Sequence, residues 1–117
     1  MEINISISGK NEIERLVSII QLGLLYALEK NIINVEETEG YLFNPFTVNQ
    51  LKMYGLSEEV ISIISEGCEL EDIQSLMPEK LSTNINRLKE QVAGNIDTIK
   101  SPELPTEKII KLTNFKR

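Results

Sequence analysis

The stretch at residues 13–28, IERLVSIIQLGLLYAL, places its apolar residues three and four positions apart, which is the spacing of an amphipathic α-helix. Asn11 followed three residues later by Glu14 resembles a capping box, so we expect the helix to begin there and to run to about Lys30. Residues 19–28 are apolar on nearly every side of such a helix. This pattern is typical of a buried helix, and we expect it to be the central, most buried one.

Capping and helix-breaking residues divide the next part of the chain into short helices. Asn34 is expected to cap a second helix, which ends at the pair Asn44-Pro45 because a residue before proline avoids helical geometry. A third helix begins at Pro45 or Thr47. Gly55 supplies the left-handed residue that ends it.

Three more helical segments are expected before residue 100. Ser57 caps a fourth helix that ends at Gly67, and a short turn of helix follows at residues 69–76. Beyond Pro78, apolar residues recur at 4-3-4 spacing and continue to Ile99, which predicts one long amphipathic helix. The residues at this spacing are Leu81, Ile85, Leu88 and Val92.

A strand is expected at the N-terminus. Residues 2–8 alternate strictly between apolar and polar, with Ile3, Ile5 and Ile7 on one face, which predicts a short half-buried strand. A lone strand leaves its backbone groups unpaired, and the C-terminal segment at residues 106–117 offers a partner for it. The alternatives for that segment are a flexible tail or residues that derive from a vector.

Together these segments predict a mainly α fold. We expect a compact bundle of about five to six helices with a short N-terminal β-strand. In one of the alternatives, a C-terminal strand pairs with it. Residues 1–100 would form a single helical domain, and residues 101–117 a proline-containing linker and a basic C-terminal strand or tail. A length of 117 residues with 41% hydrophobic residues is ordinary for one globular domain.

Cysteine usage and the N-terminus bear on the compartment. Cys68 is the only cysteine, so no disulfide can form within one chain. The sequence MEINISISGK lacks the basic region and apolar run of a signal peptide, and the apolar stretch at residues 16–28 is too short to span a bilayer. We therefore expect a cytoplasmic protein.

The residue types on which most enzymes and metal sites rely are absent. The chain has no histidine, which removes the commonest general base and most zinc and iron ligand sets. Glu69, Glu71 and Asp72 are carboxylates of the kind that binds Mg²⁺ or Ca²⁺, but neighbouring acids on a helix point apart and no EF-hand pattern occurs. We expect a non-enzymatic protein with no catalytic residue, no cofactor and no metal, in which Cys68 fills space in the interior.

Charge is distributed unevenly along the chain. The net charge is −6, but residues 36–72 alone carry nine acidic residues against Lys52, a net charge of −8. Binding to nucleic acids and to anionic membranes depends on clustered Lys and Arg, so the acidic centre disfavours both partners. The segments around Asn44-Pro45 have the spacing of a helix-turn-helix, but the helix that would read bases offers only Asn49, Gln50 and Lys52.

Aromatic residues are concentrated beside these acids. Four of the six aromatic residues lie between positions 41 and 54. Core packing is the simpler explanation, and an interface anchored by aromatic residues with an acidic rim is the functional one. The candidate partner-binding residues are Tyr41, Phe43, Phe46, Tyr54, Glu58, Glu59, Glu69, Glu71 and Asp72.

Four short runs carry a resemblance to a known kind of protein. They are LGLLYAL at residues 22–28, EGYLFNP at 39–45, GLSEEVI at 55–61 and ELEDI at 69–73. Together they resemble a family of small uncharacterised bacterial helical proteins of about this length. The resemblance covers about the first hundred residues and implies a compact helical domain without an assigned activity.

These observations favour a protein–protein interaction domain whose acidic surface binds a basic partner. The concrete form is an immunity or antitoxin-like inhibitor that blocks a cationic nucleic-acid-cleaving toxin by charge complementarity. One alternative is a structural homodimer that packs through the apolar residues of the long helix. The other is a metal-dependent enzyme that uses Glu69, Glu71 and Asp72.

Overall fold

The computed structural model describes residues 1–114. This part of the chain is mainly helical, at 65%, as the sequence predicted. In chain order the elements are β1 (Glu2–Ile5), α1 (Lys10–Glu29), α2 (Val35–Tyr41), α3 (Pro45–Met53), α4 (Glu58–Gly67), α5 (Leu70–Leu76), a 3₁₀ turn (Pro78–Lys80), α6 (Leu81–Thr98) and β2 (Ile110–Thr113). We refer to α1–α6 as the helical body and to the β1–β2 pair as the ribbon.

The number of helices is lower than the five to six that were predicted. Cys68 and Glu69, between α4 and α5, keep right-handed helical backbone angles, and only Met77 separates α5 from the 3₁₀ turn that leads into α6. When segments joined in this way are counted as one, the described residues contain four helices. No residue in the left-handed region separates α4 from α5, so the chain bends there without leaving helical geometry.

Several predicted helix boundaries are confirmed. The side chain of Asn34 accepts a hydrogen bond from the Glu37 N–H at 2.9 Å, and that of Asn44 accepts one from the Thr47 N–H at 2.9 Å. Gly55 ends α3 with a φ of 73°. The capping box at Asn11 is wrong, because α1 begins at Lys10 and the Asn11 amide donates to the Lys100 carbonyl at 2.8 Å.

Gly67 is the last residue of α4, as predicted, and it packs against an aromatic ring. A Cβ atom at this position would lie 2.6 Å from the Phe43 ring, so the missing side chain makes room for the aromatic ring. Phe43 itself is fully buried. Because its ring packs against α4, the loop after α2 is anchored to the core.

The most enclosed helix is α4, not α1. Half of its ten residues are buried: Val60, Ile61, Ile63, Ile64 and Gly67. On α1, by contrast, the apolar side chains of Ile19 and Tyr26 are each 52% exposed. The prediction that α1 is the most buried helix is therefore wrong, because its packing against α2, α4 and α6 leaves part of its circumference exposed.

Helices α1 and α6 run antiparallel along each other. Arg15, near the start of α1, donates to the Ile96 and Ile99 carbonyls at the end of α6, at 3.1 and 2.9 Å. At the other end, Glu29 accepts from the Lys89 ammonium at 2.7 Å, which lowers the pKa of the Glu29 carboxyl. Arg15 thus satisfies carbonyls that a helix end otherwise leaves without a partner.

The apolar face of α6 is occupied by the chain's own helices. Ile85, Leu88 and Val92 are 3%, 0% and 0% exposed. This corrects the predicted homodimer seam, since these side chains cannot reach a second copy while they lie in this core. Leu81 is partly buried against the same core.

The two terminal strands pair with each other. β1 and β2 are antiparallel, with Ile3 opposite Leu112 and Ile5 opposite Ile110. All eight strand residues are exposed, so the predicted strand at residues 2–8 is confirmed only for Glu2–Ile5 and the prediction that it is half-buried is wrong. The Cα radius of gyration is 15.3 Å, whereas a compact domain of this length has about 13 Å, so the ribbon extends away from the helical body.

Candidate protein-interaction surface

The outer side of α3 carries large apolar side chains that nothing covers in the described chain. Phe46 is 70% exposed, and Met53 and Tyr54 are each 75% exposed. Phe46 and Met53 are seven positions apart and lie on one side of α3, and Tyr54 follows Met53 at the C-cap. We call these three side chains the α3 stripe. The opposite side of α3 faces the core through Val48 and Leu51.

The candidate aromatic residues have different environments. Tyr41 is 65% exposed, and its hydroxyl donates to the Glu37 carboxylate at 2.9 Å, which raises the pKa of the tyrosine. Phe46 and Tyr54 belong to the α3 stripe. Phe43 is wrong as a partner-binding residue, because its ring is fully buried against Gly67.

Acidic side chains from α2 and α5 meet beside the start of α3. Glu39 lies close to Glu71, and the neighbouring Glu71 carboxyl, burial and the charge of Glu36 together raise the pKa of Glu39. The Glu39 Oε1 atom is buried and has no hydrogen-bond partner. We call Glu36, Glu39 and Glu71 the α2–α5 acidic cluster.

The acidic groups flank the α3 stripe at both ends. The Asn44 amide donates to the Glu39 carbonyl at 2.7 Å, which fixes the α2–α5 acidic cluster beside the start of α3. At the far end, Tyr54 is followed within a few residues by Glu58, which is exposed in the first turn of α4, whereas its neighbour Glu59 lines a cleft between α1, α4 and α6.

Few of these acids have a basic neighbour. Within residues 1–114, the only ion pair that an acid of the 36–72 segment makes is between Glu66 and Arg87, at 3.0 Å. Glu69 and Asp72 are exposed on and before α5, but only Glu71 of the predicted α5 acids reaches the acidic cluster. The segment thus keeps most of its negative charge uncompensated at the surface.

Sequence reasoning missed Glu36, Glu39 and Met53 as parts of this surface. Met53 follows Phe46 by seven residues, and this helical spacing would have identified it. Nothing local indicates that Glu39 meets Glu71, because the contact joins two helices that are distant in sequence.

A cleft lies on the side of α4 that faces α1 and α6. This cleft of about 960 Å³ lies between the start of α1, α4 and the end of α6. Its wall includes Glu14, which is 8% exposed and accepts a hydrogen bond from the Ser57 N–H at 2.6 Å. Glu14 thereby acts as the acceptor at the start of α4, where the Ser57 side chain makes no capping bond.

The described residues offer few groups for covalent or metal chemistry. Cys68 is partly buried, and burial, together with the nearby Glu39, raises the pKa of its thiol, so the less reactive protonated form is favoured. In residues 1–114 no three acidic or cysteine side chains are grouped closely enough to hold a metal ion. No helix in this range has the length and apolar character needed to cross a membrane.

A family model for proteins of unknown function, DUF3969, matches residues 8–111. The chain belongs to this family. The resemblance to an uncharacterised family is therefore confirmed. No match was found among curated proteins or among solved structures. The DUF3969 match contains the whole helical body, and with it the α3 stripe and its flanking acids.

Proposed function

We propose that this protein is a non-enzymatic interaction domain that binds a basic protein partner through the α3 stripe and its flanking acids. The observation that carries the proposal is the α2–α5 acidic cluster beside the uncovered side chains of Phe46, Met53 and Tyr54. Aromatic and methionine side chains are enriched at interfaces, and charges at the rim mainly change the association rate.

The raised pKa of Glu39 supports a cationic partner in particular. Glu39, Glu36 and Glu71 repel one another in the free protein, and no basic side chain in residues 1–114 forms an ion pair with them. A Lys or Arg side chain from a partner would relieve this repulsion and supply a hydrogen-bond donor to the buried Glu39 oxygen.

The concrete form of the proposal is an immunity or antitoxin-like inhibitor in the bacterial cytoplasm. A nuclease that binds nucleic acid presents clustered Lys and Arg at its active site. An acidic surface of this size would cover such a site by charge complementarity and would exclude the phosphate backbone. The chain's single cysteine and its acidic composition are compatible with that compartment and role.

The test is capture of a partner from the source organism at low salt, with two immobilised variants of equal net charge. One variant replaces the cluster acids (Glu36→Gln, Glu39→Gln, Glu71→Gln). The matched control replaces three exposed acids outside the surface (Glu79→Gln, Glu90→Gln, Asp97→Asn). We expect the wild type and the control to capture the same basic protein and the cluster variant to lose it.

The captured protein then allows a kinetic test. We expect its association rate to fall steeply as the salt concentration rises, because electrostatic steering is screened. Phe46→Ala combined with Tyr54→Ala should mainly raise the dissociation rate. An association rate that does not change with salt, or equal capture by both charge variants, would contradict the proposal.

A further inference from the structure

The ribbon is an amphipathic two-stranded sheet with an uncovered apolar face. Ile3 and Ile5 of β1 are 59% and 49% exposed, and Ile110 and Leu112 of β2 are 55% and 65% exposed. The register places these four side chains on one face as two cross-strand pairs, with Asn4 opposite Lys111 on the other face. A two-stranded sheet is marginally stable in water, so this arrangement needs further strands or cover.

The hydrogen-bond pattern identifies which backbone groups are free. Beyond the end of β1, the Ser6 N–H donates to the Ile109 carbonyl at 2.9 Å, in continuation of the β1–β2 register. Since the pattern alternates along an antiparallel pair, Glu2, Asn4 and Ser6 point their backbone groups toward β2. Ile3 and Ile5 therefore direct their N–H and C=O groups outward along the free edge of β1.

The two free edges differ in charge. β2 contains Lys111 and follows Lys108, whereas Glu2 is the one charged residue of β1. Lysine on an edge strand opposes further pairing. If β2 paired with a second β2 about its centre, Lys111 would lie directly opposite its own copy, and like charges in that position are destabilising. The corresponding residue of β1 is Asn4, which is neutral.

We propose that the protein forms a homodimer through β1, in which the two β1 strands pair antiparallel with Ile3 opposite Ile5 of the second copy. In this register the outward N–H and C=O groups of Ile3 and Ile5 bond to the same groups of the copy. Asn4 lies on the twofold axis, and Glu2 faces Ser6 rather than another acid. The product is a four-stranded β2–β1–β1–β2 sheet. The two apolar faces become one continuous face that carries eight aliphatic side chains.

A matched pair of proline variants tests which edge pairs. Ile5→Pro and Ile110→Pro remove cross-strand neighbours of the same type, and each deletes one outward N–H while leaving the β1–β2 hydrogen bonds in place. By light scattering and sedimentation, we expect the wild type and Ile110→Pro to be dimers. Ile5→Pro should raise the dimer dissociation constant by about tenfold or more, because two hydrogen bonds are lost per dimer.

A disulfide variant tests the register. In a Cys68→Ser background, Asn4→Cys places two cysteines across the twofold axis, where Cβ atoms of an antiparallel pair lie about 4.5–5.5 Å apart. We expect Asn4→Cys to form a covalent dimer on oxidation and the control Lys111→Cys to remain uncrosslinked. A monomeric wild type, equal dissociation of both proline variants, or crosslinking only through Lys111→Cys would overturn the proposal. Circular dichroism of the helical signal confirms that each variant remains folded.

Discussion

The helical body and the ribbon are stabilised in opposite ways. In the helical body, α4 is enclosed by its neighbours, and polar groups at helix ends have specific partners such as Arg15 at the end of α6. In the ribbon, all strand side chains are exposed, and the backbone pairing between β1 and β2 is the main interaction. Burial inside this chain therefore stabilises the helices, whereas the described chain buries none of the strand residues of the ribbon.

The largest expected effect on stability distinguishes Phe43 from Phe46, two aromatic residues three positions apart in the helical body. Phe43→Ala should lower the free energy of unfolding by about 3–5 kcal/mol, because it leaves a large cavity in the core. Phe46→Ala, at a 70% exposed position, should change it by about 0.5 kcal/mol or less. Urea denaturation measures both, and equal losses would contradict the assignment of Phe43 to the core and Phe46 to the surface.

A smaller effect is expected where α4 makes room for the Phe43 ring. Gly67→Ala should cost about 1–3 kcal/mol, since the new Cβ would overlap that ring. Gly94→Ala is the control, because nothing lies near its Cβ position in α6 and alanine is the better helix former by about 1 kcal/mol. We expect opposite signs in urea denaturation, and a stabilising Gly67→Ala would show that the ring can move aside.

The hydrogen bond between α1 and the start of α4 should contribute less. Glu14→Ala removes the acceptor for the Ser57 N–H, and we expect a loss of about 1 kcal/mol. Glu14→Gln keeps an acceptor oxygen and should lower the free energy of unfolding clearly less than Glu14→Ala does. If both variants lose the same stability, the negative charge rather than the hydrogen bond is what matters at this position.

The acidic cluster should make stability depend on pH. The pKa of Glu39 is raised, so the folded state holds this proton more tightly than the unfolded state does. The favourable contribution of the protonated carboxyl is therefore present below the ordinary value of 4.5 and is lost as the pH rises through the folded-state pKa. Glu39→Gln stays neutral and should raise the Tm at neutral pH but not at acidic pH.

The control for this pH dependence is Glu79→Gln, an exposed acid outside the cluster. It removes the same charge from the chain and should leave the Tm nearly unchanged at both pH values. A Glu39→Gln variant with the wild-type Tm at neutral pH would show that repulsion within the cluster is negligible.

The smallest effect is expected in the ribbon. Leu112→Thr, at a 65% exposed position, should change the free energy of unfolding of the helical body by about 0.5 kcal/mol or less. Val92→Thr, at a fully buried position of α6, introduces a hydroxyl into the core and should cost more. Circular dichroism in urea follows both, and a large loss for Leu112→Thr would show that the ribbon supports the helices.

Prediction from sequence succeeded where the controlling interactions are local. The asparagine caps at Asn34 and Asn44, the left-handed Gly55 and the alternation of β1 each follow from contacts within a few residues. The pairing of β1 with the C-terminal strand was one of three stated outcomes and is confirmed. The count of helices was too high, because the residues around Gly67 suggested a break where the backbone stays helical.

The candidate surface could be predicted only in part for the same reason. Tyr41, Phe46 and Tyr54 are exposed, as an interaction surface requires, but Phe43 is not, although it lies in the same aromatic run. Which residue of that run turns inward depends on the space beside Gly67, which is 24 positions further along the chain. The chain's own sequence gives no sign of that contact.

By itself the sequence determined the helical character, the absence of histidine and the concentration of acids at residues 36–72. Helical spacing and charge are properties of neighbouring residues, so they can be recognised without a fold. Only the tertiary structure decided that Phe43 is core, that Glu39 meets Glu71, and that the apolar face of the ribbon stays uncovered. Each of these depends on which distant segments come together, because burial and pKa are set by surroundings in space rather than along the chain.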